Sequence, residues 1–206
     1  FLAEIGWREF SYNLLFNYPN IRSEPIQEKF IKFPWKDNPS YLKAWKEGKT
    51  GYPIIDAGMR QLYQTGWMHN RVRMIVGSFL CKNLLLQWKE GEKWFFDSLV
   101  DADLGSNSAG WQWIAGCGAD AAPYFRVFNP ITQSLKFDTK GEYVKKYVSE
   151  LRHIPSHQVH SPWELNMADQ EKFRCIIGKD YPKPIVNLSE SRDRALKAFS
   201  SIKVKI

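Results

Sequence analysis

The sequence predicts an all-α, largely helical single domain, on three observations. Apolar residues recur at helical spacing in several long segments, no stretch sustains two-residue alternation, and neither a repeat nor a low-complexity run appears. With 206 residues, 44% of them hydrophobic, the chain is long enough for one domain with a sizeable core. Residues 1–17 favour a helix ended by Asn17 and the Tyr18-Pro19-Asn20 turn, and residues 33–53 read as a loop around one short helical piece. Pro53 opens a helix through "IIDAGMRQLYQTG" that stops at Gly66. "MHNRVRMIVGSFLCKNLLLQW", residues 68–88, gives the longest helical pattern, and "EKWFFDSLVDAD", residues 92–103, gives another. After Pro130 helical patterns remain only in "GEYVKKYVSEL" and "SRDRALKAFSSI". The Pro-rich stretch near residues 155–184 reads as wrapping, so residues 153–206 are expected to form a peripheral C-terminal wrap on one domain spanning 1–206.

Composition narrows the partners. The 29 Lys and Arg against 22 Asp and Glu leave a net charge of +7, which favours polyanionic partners such as nucleic acid or acidic membranes. Nine tryptophans and an aromatic fraction of 15% suit stacking on bases or on a planar cofactor. Cys81, Cys117 and Cys175 are far apart and form no C-x-x-C pair, which speaks against a disulfide framework or a zinc site and for a reducing, cytoplasmic setting. No apolar run has membrane-spanning length, and Glu4, Arg8 and Glu9 stand where a signal peptide needs an apolar region. Because Phe1 already lies inside a helical pattern without a cap, the chain is expected to be the later part of a longer polypeptide.

Several constellations are candidates for chemistry. Glu4, Trp7, Arg8 and Ser11 share one helical stripe, which is either a solvated Glu4–Arg8 ion pair beside a half-buried ring or the wall of a ligand site. Asn70, Arg73, Met74 and Gly77 share a face opposite Val72, Ile75, Val76 and Phe79, and Gly77 there suggests close approach of a ligand. In "LVDADLGSNSAGWQWIAGCGADAAPYFRVFNP", residues 99–130, two large rings sit among small residues and are either slot walls or buried core. If this run is helical, Trp111 and Trp113 stand roughly 200° apart and serve different surroundings. Asp101 and Asp103 are either an acid–base pair or caps for the following turn. Three motifs fail: "GKT" at residues 48–50 lacks the P-loop glycine and has Lys43 in its place, His153, His157 and His160 are interrupted by Pro155 and read as surface histidines rather than metal ligands, and spacing defines no Ser/His/Asp arrangement.

The segments "GKTGYPIIDAGMRQLYQTGWMHNRVRM", "WREF" and "DADLGSNSAGWQW…DAAPYFRVFNP" resemble the flavin-binding helical domain of the photolyase and cryptochrome family, nearest its bacterial class I cyclobutane pyrimidine dimer branch. The resemblance nearly covers the chain and implies FAD as cofactor, with an N-terminal α/β antenna domain, its chromophore and an upstream flavin-phosphate loop lying outside this sequence. It implies that Asn107 sits beside flavin N5 and that Asp101 and Asp103 lie near the ring and ribose side. Arg73 then pairs with Asp101, while Ala102, Asn70, Gly110, Trp111 and Trp67 complete the cofactor-binding set. Glu4, Trp7, Asn70 and Met74 line the lesion pocket, Trp113 faces it, and Arg8, Ser11, Arg71, Arg126 and Gln133 correspond to positions near DNA. Glu4 and Asn107 count among the catalytic residues, together with Trp111, Trp88 and Trp35, which match an electron-carrying tryptophan chain.

The implied activity is light-dependent repair of pyrimidine dimers in UV-damaged DNA, with the dimer extruded from the duplex, for which photolyases are a standard example. The protein is expected to be a monomer of the bacterial cytoplasm, with no membrane or metal partner, whose missing N-terminal half belongs to the same or a longer chain. A cryptochrome-like photoreceptor and an inactive, cofactor-free DNA-binding fragment are the alternatives. Within the family Asn107 favours a photolyase, since plant cryptochromes typically carry Asp there and animal ones Cys, and Asn70 argues against a (6-4) enzyme. Without the upstream phosphate donors, the piece alone is expected to hold FAD weakly.

Overall fold

The computed structural model describes residues 1–120 and 125–202. Among these residues there is no β-strand, only the isolated bridges Lys36–Leu86 and Ile177–Tyr181, and the all-α expectation holds. In chain order the helices are α1 (Leu2–Asn17), α2 (Pro39–Lys46), α3 (Pro53–Thr65), α4 (Asn70–Ser78), α5 (Trp88–Ser98), α6 (Leu104–Ala115), α7 (Pro130–Phe137), α8 (Glu142–Tyr147), α9 (Met167–Lys172) and α10 (Leu188–Ser201). None of them is long and apolar enough to cross a membrane.

Local chemistry explains most boundaries. Pro53 starts α3 and Gly66, left-handed at φ 66°, ends it. Asp103 caps α6 by accepting the Ser106 N–H, and Gly116 at φ 88° closes it. Residues 68–88, however, are not one helix. α4 stops at Ser78, a π-turn covers Phe79–Asn83, and Leu85 takes φ 56°. Other segments satisfy the backbone groups this break exposes: the Leu85 carbonyl accepts from Lys36 N–H at 2.8 Å, and the Asn83 carbonyl accepts from the Arg194 guanidinium at 2.6 Å. Two short helices, α7 and α9, stand where the sequence reads as loop, each capped by an asparagine, Asn129 and Asn166.

At the centre, α6 packs against α1, α4 and α5. Trp111 is buried between α4 and α5, edge-on to Phe95 (4.9 Å) and Trp45 (6.2 Å), and the Trp45 indole donates to the Val76 carbonyl. A Cβ on Gly91 would lie 2.1 Å from the Trp111 ring, so the missing side chain is what admits the indole. Gly77 has the same use: its Cβ would meet Ile114 at 2.9 Å, so it serves the α4–α6 contact rather than the ligand approach expected for it.

The C-terminal stretch contributes to the core, burying Ile154, Val159, Cys175, Tyr181 and Ala195. The Tyr181 hydroxyl donates to Asp56 Oδ2 at 2.5 Å, beside donors from Thr50 N, Thr50 Oγ1 and Gly51 N. Burial pushes the Asp56 carboxyl up, and these donors pull against it. His160 is buried rather than on the surface, with Nδ1 2.7 Å from Ser134 Oγ, while His153 and His157 are exposed. The three cysteines are free and buried, and no group of residues that could hold a metal occurs among the described residues.

Gly91→Ala is expected to lower stability by about 1–3 kcal/mol through overpacking on Trp111. Gly110→Ala, whose Cβ meets nothing within 4 Å, is the control expected to leave the melting temperature unchanged or raised, and thermal unfolding of both variants checks the contrast.

Candidate functional site

One face of the helical core opens into a cavity of about 740 Å³, walled by α1, the N-terminal half of α4, the 99–103 turn and α6. Helix α1 supplies Glu4, Trp7, Arg8 and Ser11, the whole predicted stripe. Trp7 is 54% exposed and edge-on to Phe10, whereas Ser11 is buried with its hydroxyl on the Trp7 carbonyl. Arg8 pairs with Glu9 at 3.3 Å, not with Glu4, so the bland ion-pair reading of the stripe does not hold. From α4 and the residues before it come Trp67, Asn70, Arg73 and Met74, and from the turn and α6 come Asp101, Ala102, Asp103, Asn107, Gly110, Trp111 and Trp113. Trp111 is 2% exposed and Trp113 37%, the two surroundings that helical geometry requires of residues two apart.

Part of the wall carries ordered charge. Arg73 grips Asp101 with one guanidinium nitrogen 2.9 and 3.1 Å from its two oxygens, while its Nε–H donates to the Met68 carbonyl. Asp103 turns out to be the cap of α6 and also accepts the Tyr12 hydroxyl at 3.0 Å. Partial burial works against ionisation of Asp103, but the Ser106 and Tyr12 donors outweigh it and hold the carboxyl below its ordinary range.

Asn107 is oriented from behind. Its amide nitrogen donates to the Glu92 carbonyl at 2.9 Å and to Glu92 Oε1 at 3.2 Å. Both partners are acceptors, so the amide cannot turn over and Oδ1 stays the outward acceptor. The Glu92 carboxylate is buried and also takes the Ser108 hydroxyl and, at 3.2 Å, the Arg22 guanidinium. Glu92 is absent from the sequence-predicted set. Its only sequence signal is its place between Trp88 and Phe95 on the apolar side of α5.

Five predicted residues lie outside the cavity wall. Trp88 is buried at the start of α5, one turn before Gly91 on the same helix face, which sets it on the Trp111 side. Trp35 is half-buried against Phe33 (4.3 Å), next to Lys36 and its bridge to Leu86. Arg71 stacks over the exposed ring of Phe137 (4.7 Å), Arg126 stacks over Phe128 (5.0 Å), and Gln133 is half-buried on α7.

Glu92→Ala is expected to cost about 2–3 kcal/mol, because it strands three donors of which the Asn107 and Ser108 groups are the less exposed. Denaturant unfolding measures the loss, and Arg22→Ala, which removes only a half-exposed partner, is expected to cost less.

The wall fits a flavin. Its volume lies in the range of about 300–1,000 Å³ usual for cofactor clefts, the rings of Trp67 and Trp113 offer apolar surface, and Gly110 leaves backbone open to close approach. The Trp111 indole N–H is buried without a partner among the described residues, and Asn107 Oδ1 presents an oriented acceptor. A family described as the FAD binding domain of DNA photolyase matches residues 1–201. The deoxyribodipyrimidine photo-lyase of Agrobacterium fabrum is 53% identical over 203 residues, 98% of this chain and 42% of that protein. Among solved structures, a bacterial class III photolyase from Agrobacterium tumefaciens superposes with TM-score 0.93 at 53% identity, covering 97% of this chain and 41% of that one. A cryptochrome from Synechocystis superposes at 0.91 with 38% identity, covering 96% and 41%. The chain thus spans about two-fifths of these relatives, and a class III neighbour at this identity widens the class I expectation to photolyases generally. The chain belongs to the FAD-binding domain family of DNA photolyases.

Proposed function

We propose that this protein is the flavin-holding part of a light-driven lyase that splits cyclobutane pyrimidine dimers in DNA. The observation that carries the reading is a cavity wall of two kinds. Part of it is polar and fixed, with Arg73 on Asp101 and Asn107 on Glu92, and part carries the exposed rings of Trp7 and Trp113. The fixed polar groups hold the cofactor, and the exposed rings meet a base that has left the duplex, where stacking accepts any pyrimidine. When bound and reduced, FAD supplies a light-excited electron donor and takes the electron back after bond cleavage.

This chain's residues do the rest. Asn107 keeps an acceptor turned outward because Glu92 occupies its donor end. Asp101 is neutralised by Arg73. Glu4, without an ion pair among the described residues, stands on the cavity wall as the free carboxylate nearest Trp7 on α1. Trp35 is half-buried and Trp88 and Trp111 are both buried, which suits a relay of oxidisable rings from near the surface to the core. The +7 charge supplies sequence-independent attraction to phosphates, and affinity is expected to fall steeply with salt.

The first experiment is the near-UV and visible spectrum of the protein after incubation with FAD and removal of free cofactor, followed by illumination with a dimer-containing oligonucleotide. Retained flavin bands with light-dependent loss of dimers support the reading. Photoreduction without dimer loss favours a cryptochrome-like photoreceptor, and a colourless protein removes photochemistry from this piece. Two variants refine it. Trp7→Ala is expected to weaken binding of damaged DNA by about 1–3 kcal/mol, measured against undamaged duplex. Trp88→Phe is expected to slow photoreduction of bound flavin while sparing repair by chemically reduced protein, and equal loss of both would count against a relay.

A further inference from the structure

The least expected charge outside the cavity is the ammonium of Lys82. It lies in the π-turn after α4, and the residue is only 6% exposed. A cation taken out of water this far needs partners. Lys82 finds them in one short segment: Nζ donates to the Arg126 carbonyl at 2.5 Å and stands 4.8 Å from the centre of the Phe125 ring. Ser78, four residues earlier, holds the same segment by accepting the Phe128 N–H at 3.3 Å. Residues 125–128 are therefore tied at two points to the end of α4, while the Arg126 side chain is exposed and its guanidinium lies over Phe128.

We propose that Lys82 is an internal clasp that fixes the backbone of residues 125–128 and so aims Arg126 at a DNA phosphate. Lys82 is a positioning residue and does not itself touch DNA. The assignment rests on the DNA-binding reading above for its purpose, but the clasp itself rests on the two contacts alone. Burial pulls the ammonium down to about 8. Of the groups around it, burial pushes the Cys81 and Cys117 thiols up, keeping them neutral, and Arg126 on the held segment is always cationic. Arg194 of α10 is spent on the neighbouring Asn83 carbonyl. Lys82 is thus the group here that loses charge between pH 7 and 9, which weakens its hold on both the carbonyl and the ring.

Two readouts test the clasp. In hydrogen exchange, Lys82→Met is expected to speed the amides of residues 126–128 above the rest of the molecule, with Lys82→Arg restoring protection. In duplex binding across a salt series, Arg126→Ala and Lys82→Met are each expected to lower the slope of log affinity against log salt by about one. The double variant is expected to lose no more than either single one. Unchanged exchange at 126–128 in Lys82→Met, or losses that add, would overturn the clasp. If Arg126→Ala binds DNA as the parent does, it is the DNA reading that fails, and exchange alone decides the clasp. Should Lys82→Met not fold, the unmodified protein is compared at pH 7 and 9 after correction for intrinsic rates: loosening confined to 126–128 supports the proposal, and uniform protection sinks it.

Discussion

The close crossing of α5 and α6 is the constraint on which the rest of the molecule depends. Gly91 leaves room for the Trp111 ring where any side chain would collide, and the neighbouring Glu92 reaches across to Asn107 and Ser108. One helix contact thereby does two things. It buries the Trp111 ring of α6 among Phe95 and Trp45, and it fixes which end of the Asn107 amide faces the cavity. Stability and chemistry are coupled here because a shift of α5 moves the packing surface and the hydrogen-bonding partner together.

The cavity wall divides by how its groups are held. Some are already committed to protein partners: Arg73 to Asp101 and Met68, Asp103 to the start of α6, Asn107 to Glu92. Others are exposed rings on α1 and α6, Trp7 and Trp113. Groups fixed by the protein suit a resident cofactor that is positioned once, and exposed rings suit a substrate that enters and leaves. Lys82 extends the same logic beyond the cavity, since a buried cation spent on a backbone carbonyl gives shape to a surface segment.

Legibility in the sequence followed the range of the interactions involved. Helix α3 is readable at both ends, because Pro53 and Gly66 act on their own backbone. The Trp7 stripe and the Asn70–Arg73–Met74 face are readable because helical periodicity alone places them together, and the structure sets both on one cavity. The run at 68–88 misleads because Leu84, Leu85 and Leu86 prolong an apolar pattern past a helix break whose hydrogen bonds come from Lys36 and Arg194, remote in sequence. Helices α7 and α9 are too short for a periodic signal, although an asparagine cap precedes each one. The family's motif residues at 121–124 lie outside the described residues.

By itself the sequence determined the helical class, the basic and aromatic character, the opposed settings of Trp111 and Trp113, and the family through its motifs. Each of these depends on composition or on residues within a few positions of one another. Only the tertiary structure decided that Gly77 and Gly91 serve helix contacts, that His160 is buried, that Tyr181 reaches Asp56, and that Glu92 and Lys82 spend buried charge on distant partners. A glycine, a histidine or a lysine looks alike in sequence whether it meets water or another helix. What it meets is set by the packing of elements far apart along the chain, and the desolvation that gives a buried charge its role exists only once those elements have met.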